Sequence, residues 1–206
     1  MYTKYFRSCN IQSAIFIVII AHCNPNHAST TLVSYDFEDA AGSFENEAES
    51  SVPALEPSAW FDAQGSLTSF SGNPGKALAA RSFLDGNSLT LVTNVLPGFT
   101  IHLDNYSFDH QASASGPMHW ALNINGSPIT GGTISTSFTN VNGALSLGGF
   151  SDSITVKLFG SAAPSNSGTY RLDNLHLNGS VTSVPLAPGI VLLGSGLAFM
   201  STRLKR

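Results

Sequence analysis

Carboxylate side chains are the groups in this sequence best suited to chemistry. In the stretch ENEAE, Glu45, Glu47 and Glu49 alternate, so on a β-strand all three would point to one side. Two carboxylates on one face of a sheet can act as the nucleophile and the general acid of a glycosidase. Asn46 and Ala48 between them are poor anchors for such a strand. We therefore expect a solvated loop here and a protein that is not an enzyme.

Two other acidic stretches, YDFED and YRLDN, contain a better candidate set for a metal ion. They place Asp36, Glu38 and Asp39 near the start of the central region and Asp173 near its end. Carboxylate oxygens are hard ligands of the type that Ca²⁺ takes. Asp and Asn near strand ends also bind their own backbone in turns, and this alternative stays open.

The two stretches resemble those of jelly-roll carbohydrate-binding modules, many of which hold a structural calcium between an acidic residue on the first strand and an Asp on the last. The resemblance implies that Glu38 and Asp173 carry the ion, assisted by Asp36 or Asp39. A structural Ca²⁺ is the one cofactor that this sequence leads us to expect.

Aromatic side chains are the candidates for stacking on sugar rings: Trp60, Phe61, Tyr106 and Trp120. Most aromatic residues in a β-sandwich belong to its core. Trp120 alternates with Leu122 and Ile124, which predicts burial. Trp60 lies beside the acidic loop and is the predicted ligand-binding residue.

Several other classes of function are excluded by composition and spacing. The only cysteines, Cys9 and Cys23, lie in the first 28 residues, so no thiol chemistry is expected in the rest of the chain. The region from Asp36 to Asp173 contains four Lys and Arg residues and all 13 Asp and Glu residues of the chain, which gives it a net charge of −9. This region should repel phosphate backbones, so nucleic acid is not an expected partner. The histidines show no metal-ligand spacing and no catalytic triad is assignable.

Short alternating segments separated by turns run through residues 31–183. The clearest are FTIHLDNYSF and SDSITVKLFG, while MHWALNING ends in the turn signal Asn125-Gly126. The chain has 19 Gly and 10 Pro, and no segment of this region shows a helical period. We predict one all-β domain, an antiparallel β-sandwich of jelly-roll type, with residues 43–59 as a long exposed loop. The predicted core residues are Phe99, Ile101, Leu103, Ile154, Val156, Leu158, Leu172, Leu175 and Leu177.

Residues 1–28 have the pattern of a secretory signal peptide. Lys4 and Arg7 precede a short apolar run that is typical of the central region of such a signal. Cleavage could follow Cys23 or fall near Ala28, and the sequence leaves both open.

The other end of the chain has the pattern of a membrane anchor. Residues 186–202 are uncharged and mostly apolar, and at ~1.5 Å per residue they would form a helix of ~25 Å, just long enough to span a bilayer. The tail residues Arg203, Lys205 and Arg206 would stay in the cytoplasm by the positive-inside rule.

Residues 184–206 resemble the PEP-CTERM sorting signal in its Val-Pro-Leu-Pro-Ala form. The motif here is Val184, Pro185, Leu186, Ala187 and Pro188, with the second Pro and the Ala exchanged. The resemblance implies export by a Gram-negative bacterium, transient anchoring in the membrane, and processing by an exosortase. It also implies a final place at the cell surface or outside the cell, with exopolysaccharide in the biofilm. We therefore expect a structural or adhesive surface protein; the alternatives are a calcium-stabilised carbohydrate-binding module and, less favoured, a secreted glycoside hydrolase.

Overall fold

The computed structural model describes residues 29–62, 64 and 67–184 of the 206-residue chain. The predicted signal peptide, residues 1–28, and the predicted anchor, residues 186–202, lie outside these ranges. Within them, we find no helix with the length and apolar character needed to cross a membrane. The strands in the described residues are β1 Thr30–Tyr35, β2 Ser50–Ser51, β3 Leu55–Pro57, β4 Phe61–Asp62, β5 Leu67–Ser71, β6 Lys76–Arg81, β7 Ser88–Val95, β8 Phe99–Ala112, β9 His119–Ile124, β10 Ser127–Thr133, β11 Thr139–Phe150, β12 Ser153–Ser161 and β13 Thr169–Ser183.

These strands form two antiparallel sheets. The first sheet has the order β11-β8-β13-β1-β2, and β6 pairs with β13 and carries β5. The second sheet has the order β10-β9-β12-β7-β3, and β4 also pairs with β7. One continuous apolar core contains side chains from both sheets. The described residues thus form an all-β sandwich, as the alternating pattern predicted.

Side-chain alternation places the core where the sequence predicted it. In β12, Ile154, Val156 and Leu158 are each at most 1% exposed, while the residues between them are half-buried on the other face. Burying each of these side chains stabilises the fold by about 1.5–3 kcal/mol relative to exposure. The predicted core residues that are buried are Ile101, Leu103, Ile154, Val156, Leu158, Leu172, Leu175 and Leu177, whereas Phe99 is half-buried.

The turn between β9 and β10 is formed by the Asn-Gly pair that predicted it. Asn125 has φ 48° and Gly126 has φ 81°. Two successive positive φ angles are the requirement of the two-residue hairpin turns that Asn-Gly favours. This hairpin ends the run of alternating residues in β9, where Trp120 is 7% exposed.

The segment 43–59 is less loop-like than its sequence predicts. Glu45, Glu47 and Glu49 are exposed, as expected. Asn46, however, anchors the segment: its Nδ2 donates to the Trp60 carbonyl at 2.8 Å, and its Oδ1 accepts from the Trp60 N–H at 3.1 Å. Ala48 packs against the core, and β2 and β3 lie within the segment. The expectation that Asn46 and Ala48 are not anchors was wrong, because their partners are remote in sequence.

Candidate functional site

Two buried carboxylates face each other across the first sheet. β8 and β13 pair so that Asp109 lies opposite Asp173, and directly paired residues project from the same face. Their neighbours Phe108 and Leu172 point into the core, so the carboxylates lie on the outer face of the sheet. Asp109 is 8% exposed and Asp173 is 0% exposed. A covering segment must therefore shield them from solvent.

That cover is the turn between β5 and β6, residues 72–75. The Asn73 N–H donates to Asp173 Oδ2 at 2.5 Å, and Asn73 Nδ2 donates to Asp109 Oδ2 at 3.4 Å. The turn closes on itself through Gly72 N–H and Gly75 O at 2.7 Å and contains a cis peptide bond before Pro74. The turn thus covers both carboxylates and donates a hydrogen bond to each of them.

A bulge in β13 supplies further donors to the same cluster. The strand register shifts between Asp173 and His176, and Asn174 between them has φ 48°. Asn tolerates this left-handed conformation better than most residues. From here Asn174 Nδ2 donates to the Asn73 carbonyl at 2.7 Å and to Asp109 Oδ2 at 2.9 Å. The bulge also explains why the buried leucines of β13 are spaced 172, 175, 177 rather than in strict alternation.

A third carboxylate reaches the turn from the start of the domain. A Cβ atom at Gly75 would overlap the Glu38 carboxylate, and one at Gly72 would overlap Asp173 Oδ2 and the Lys76 carbonyl oxygen. Glu38, Asp173 and Lys76 O therefore converge on a turn whose two glycines leave room for oxygen atoms. We call Glu38, Asp109, Asp173, Asn73 and Asn174 the acidic cluster.

The electrostatics of the acidic cluster are unfavourable as it stands. Burial raises the pKa of Asp173 to about 6, although backbone N–H groups of Asn73 and Asn174 oppose the shift. The carboxylates of Asp109 and Glu38 raise this pKa further. Like charges directly opposite each other on a sheet are destabilising, so a positive charge close to Asp109 and Asp173 would stabilise the folded protein.

The acidic cluster suits a calcium ion by donor type. Ca²⁺ takes carboxylate and backbone carbonyl oxygens in flexible geometry, and Glu38, Asp173 and Lys76 O are such donors beside a glycine cradle. Among the described residues, no group of three or more His, Cys, Asp or Glu side chains is arranged to hold a metal by itself. Backbone oxygens would therefore have to complete the coordination.

The structure places the other predicted metal ligands differently. Asp36 Oδ1 accepts from the Glu38 N–H at 3.3 Å, and Asp39 Oδ1 accepts from the N–H groups of Ala41 and Ser43 at 2.9 and 2.8 Å. Asp36 and Asp39 therefore accept hydrogen bonds from their own local backbone, which is the alternative that the sequence left open. Asp109 was missed because its place beside Asp173 depends on the pairing of β8 with β13.

Trp60 is buried, and its neighbour Phe61 is exposed. Trp60 is 2% exposed and meets the Tyr35 ring edge to face at 6.1 Å. The expectation of an exposed Trp60 was therefore wrong. Phe61 is 48% exposed because β4 pairs with β7 and turns alternate residues to opposite faces. Of these two neighbouring aromatic residues, Phe61 is therefore the one that is accessible to a ligand.

Phe61 begins a row of side chains that crosses the outer face of the second sheet. Direct pairing links Phe61 to Thr90, Thr90 to Lys157 and Lys157 to Asn123. Phe159 lies on the same face, two residues along β12 from Lys157. We call Phe61, Thr90, Lys157, Asn123 and Phe159 the Phe61 face. It combines an exposed aromatic ring with an ammonium group and an amide, a mixture of apolar surface and hydrogen-bond donors.

The predicted sorting motif begins where the sandwich ends. β13 runs to Ser183, and the N–H of Val184 donates to the Gly98 carbonyl at 2.8 Å. Val184 is 50% exposed. Pro185, Leu186, Ala187 and Pro188, and the tail residues Arg203, Lys205 and Arg206, lie outside the described residues.

No protein-family model matches the chain, and no curated protein matches it by sequence. Among solved structures, it is similar to a family 11 carbohydrate-binding module from Clostridium thermocellum in complex with a β-1,3-1,4-mixed-linked tetrasaccharide. The identity is 16%, the TM-score 0.36, and the match covers 72% of this chain and 96% of that module. It is also similar to a family 27 carbohydrate-binding module studied for mannan recognition, with 9% identity, a TM-score of 0.44, and coverage of 74% and 99%.

A third similar structure is an acetyl xylan esterase from Butyrivibrio proteoclasticus. It has 14% identity and a TM-score of 0.37, and the match covers 62% of this chain and 34% of the esterase. This chain thus spans about a third of that enzyme. These identities and TM-scores assign the chain to no family.

Proposed function

We propose that this protein is an exported, calcium-stabilised jelly-roll domain that binds a polysaccharide on its Phe61 face. The observation that carries the proposal is the row formed by Phe61, Thr90, Lys157 and Asn123. The apolar face of a pyranose ring packs against an exposed aromatic ring, while its hydroxyl groups bond to polar side chains.

The shape of the Phe61 face favours an extended chain of sugars. The row crosses β4, β7, β12 and β9, and Asn123 pairs with Pro128 of β10. Four strand spacings of ~4.8 Å give ~19 Å. Thr90 in this row is buried, at 4% exposure, so Phe61, Lys157 and Asn123 are the side chains that would contact sugar units in line along it.

The metal part of the proposal concerns the acidic cluster. Glu38, Asp173 and the Lys76 carbonyl would hold the ion, with Asp109 beside it. Calcium supplies positive charge that compensates the paired carboxylates and ties the 72–75 turn to β13. It contributes to stability and takes no part in contacting sugar on the opposite sheet.

Binding is tested by titrating the full-length protein with soluble polysaccharides in a calorimeter. Mixed-linkage β-glucan and mannan are suitable probes, because two of the similar modules are described with these ligands. Phe61→Ala should weaken binding at least tenfold, and Met118→Ala, which removes an exposed apolar side chain elsewhere, should not. Equal affinities of wild type and Phe61→Ala for every polysaccharide that binds would overturn the proposal.

The proposed role in the cell is structural or adhesive at the cell surface, after sorting by an exosortase. The support is the sequence of residues 1–28 and 184–206, together with the end of β13 directly before the sorting motif. Intact mass of the protein from its native host tests this, because removal of both ends changes the mass by known amounts. A protein that keeps residues 189–206 in the extracellular fraction would contradict exosortase processing.

We treat the protein as binding rather than catalytic because Glu45, Glu47 and Glu49 project from an exposed segment. A glycosidase needs two carboxylates placed on either side of the scissile bond, held there by a folded site rather than by an exposed segment. Reducing ends released from a bound polysaccharide, and lost in Glu47→Gln, would reverse this part of the proposal.

A further inference from the structure

The longest uncharged stretch of the sequence forms one side of the sandwich. No Asp, Glu, Lys or Arg occurs between Asp109 and Asp152, and β9, β10 and β11 all lie within this stretch. β10 and β11 are edge strands, of the second and the first sheet respectively, and the short segment 134–138 joins them. Copies of a domain whose region from Asp36 to Asp173 has a net charge of −9 repel each other. On this side two copies can approach with the least repulsion.

The first half of β11 is an edge without the features that normally keep an edge from pairing. Very short strands, charged side chains, prolines and bulges protect the edges of natural sheets, because unpaired backbone groups otherwise bind another strand. β11 has 12 residues, none of them charged and none a proline, whereas β10 contains Pro128. Both register shifts of β11 follow Ala144. Residues 139–144 therefore form a regular stretch that, among the described strands, pairs only with β8.

Hydrogen bonds of β8 show which backbone groups lie on the free edge of this stretch. The Ala112 N–H donates to the Ser135 carbonyl at 3.0 Å, and the His110 carbonyl accepts from the Thr139 hydroxyl at 3.5 Å, so these even-numbered residues of β8 face β11. In an antiparallel ladder, residues alternate between this orientation and the opposite one. Each residue of β11 opposite an odd-numbered residue of β8 therefore directs its backbone away from β8. Within the regular stretch, these residues are Asn140, Asn142 and Ala144.

The side chains along this edge leave both apolar and amide groups for a neighbouring strand. Val141, Leu145 and Leu147 pack against the core but are only half-buried. On the outer face, Asn142 is exposed, and its Nδ2 donates to Asn140 Oδ1 at 3.0 Å. A strand added to β11 would cover apolar surface on the inner face and bring further amides beside Asn140 and Asn142 on the outer face.

From this geometry we infer that two copies of the protein pair through β11, antiparallel and about a two-fold axis at Asn142. This axis places Asn142 opposite its counterpart and Asn140 opposite Ala144 of the second copy, so all three outward-facing residues exchange N–H···O bonds. A second copy is the occupant because the edge carries no charge that would select a different partner, and a two-fold axis makes it complementary to itself.

The contact is short, so the dimer should be reversible. The six residues from 139 to 144, at ~3.4 Å each, give ~20 Å of paired edge. Contacts of this small size belong to transient complexes rather than permanent ones. A dimer would present two Phe61 faces at once, which would strengthen binding to a long polysaccharide through avidity. The pairing itself does not depend on the Phe61 face.

Sedimentation velocity of the full-length protein, without polysaccharide and over a hundredfold range of concentration, tests this inference. Wild type should change from monomer to dimer. Asn142→Lys and Asn142→Asp should each raise the dissociation constant at least tenfold, because like charges would lie opposite each other. An equimolar mixture of the two variants should recover the dimer, which also shows that both are folded. Thr31→Lys, at an exposed position of β1 on the same sheet, is the matched control and should dimerise like wild type.

Amide hydrogen exchange checks the register of the same contact. The N–H groups of Asn140 and Asn142 should exchange fast at low concentration and slowly at high concentration, whereas that of Val141, which bonds to β8, should be protected at both. A monomer at every concentration would overturn the inference, and so would a dimer that persists unchanged in Asn142→Lys. Because no polysaccharide is present, these results are independent of whether the Phe61 face binds sugar.

Discussion

Asp109 and Asp173 lie directly opposite each other on β8 and β13, and neither is more than 8% exposed. Side-chain amides of Asn73, Asn140 and Asn174 donate to Asp109 at 3.4, 2.8 and 2.9 Å, which satisfies its oxygens without neutralising its charge. Buried carboxylates held by neutral donors still repel each other. This pair is therefore the strongest structural reason to expect a cation at the acidic cluster.

Calcium is expected to stabilise the wild-type protein. Free Ca²⁺ at about 100 times its dissociation constant would add ~2.7 kcal/mol to the free energy of unfolding. Asp173→Asn should abolish this gain, and without calcium it should be less stable than wild type, because both Asp173 oxygens accept backbone N–H bonds and an amide NH₂ cannot. Denaturant unfolding with millimolar CaCl₂ or with EDTA measures both quantities. Asp152→Asn, an exposed carboxylate in the turn between β11 and β12, is the control and should keep the full response to calcium.

The glycine cradle is tested by Gly75→Ala compared with Gly98→Ala. Both residues have positive φ, 75° and 87°, so each substitution should cost about 1 kcal/mol through backbone strain. Only at Gly75 would the new Cβ meet the Glu38 carboxylate, whereas at Gly98 the space within 4 Å is empty. We expect Gly75→Ala to lose the calcium response and Gly98→Ala to keep it. A full response in Gly75→Ala would show that Glu38 is not a ligand.

His110 should make the protein less stable in mild acid. Burial lowers the pKa of His110 to about 4 from its ordinary 6.5, although the Asp109 carboxylate opposes the shift. Above pH 6.5 the imidazole is neutral in both states. As the pH falls through that value, the unfolded chain takes up a proton that the folded state refuses, so the free energy of unfolding decreases by about 2 kcal/mol between pH 7.5 and 5.

His110→Phe isolates this contribution in calcium-free denaturant unfolding at the two pH values. Asp173 acts in the opposite sense, since its raised pKa of about 6 means that the folded state gains stability as the pH falls through that value. Both proteins contain Asp173, so its effect cancels in the comparison. We expect wild type to lose more stability in acid than His110→Phe. Equal losses would mean that His110 titrates normally in the folded protein.

Trp60 is expected to matter for stability rather than for binding. Its ring is buried against Tyr35, and its Nε1 is buried without a hydrogen-bond partner among the described residues. Trp60→Ala should reduce the free energy of unfolding by about 3–5 kcal/mol because it leaves a cavity. Trp60→Phe removes the unpaired donor, so it should cost less and keep full affinity for polysaccharide. A loss of affinity in a folded Trp60→Phe variant would show that Trp60 does contribute to polysaccharide binding.

Local sequence patterns predicted the class of fold and most of the core. The alternation in β12 and the Asn125-Gly126 turn depend only on residues that are adjacent in the chain. They can therefore be predicted from the sequence alone. The same is true of Trp120, whose burial follows from its alternation with Leu122 and Ile124. The outward positions of Lys157 and Phe159 could also have been deduced from the alternation of β12, which is the signal that would have pointed to the Phe61 face.

Long-range pairing decided what the sequence could not. Asp109 meets Asp173 across 64 positions of the chain only because β8 and β13 adopt one register, and a shift by a single residue would turn either carboxylate to the other face. The choice between Trp60 and Phe61 as the exposed ring was likewise made by the pairing of β4 with β7. The sequence by itself determined an acidic, all-β domain. Tertiary structure alone decided which carboxylates and aromatic rings share a face, because strand register depends on the packing of the whole sandwich rather than on any one segment.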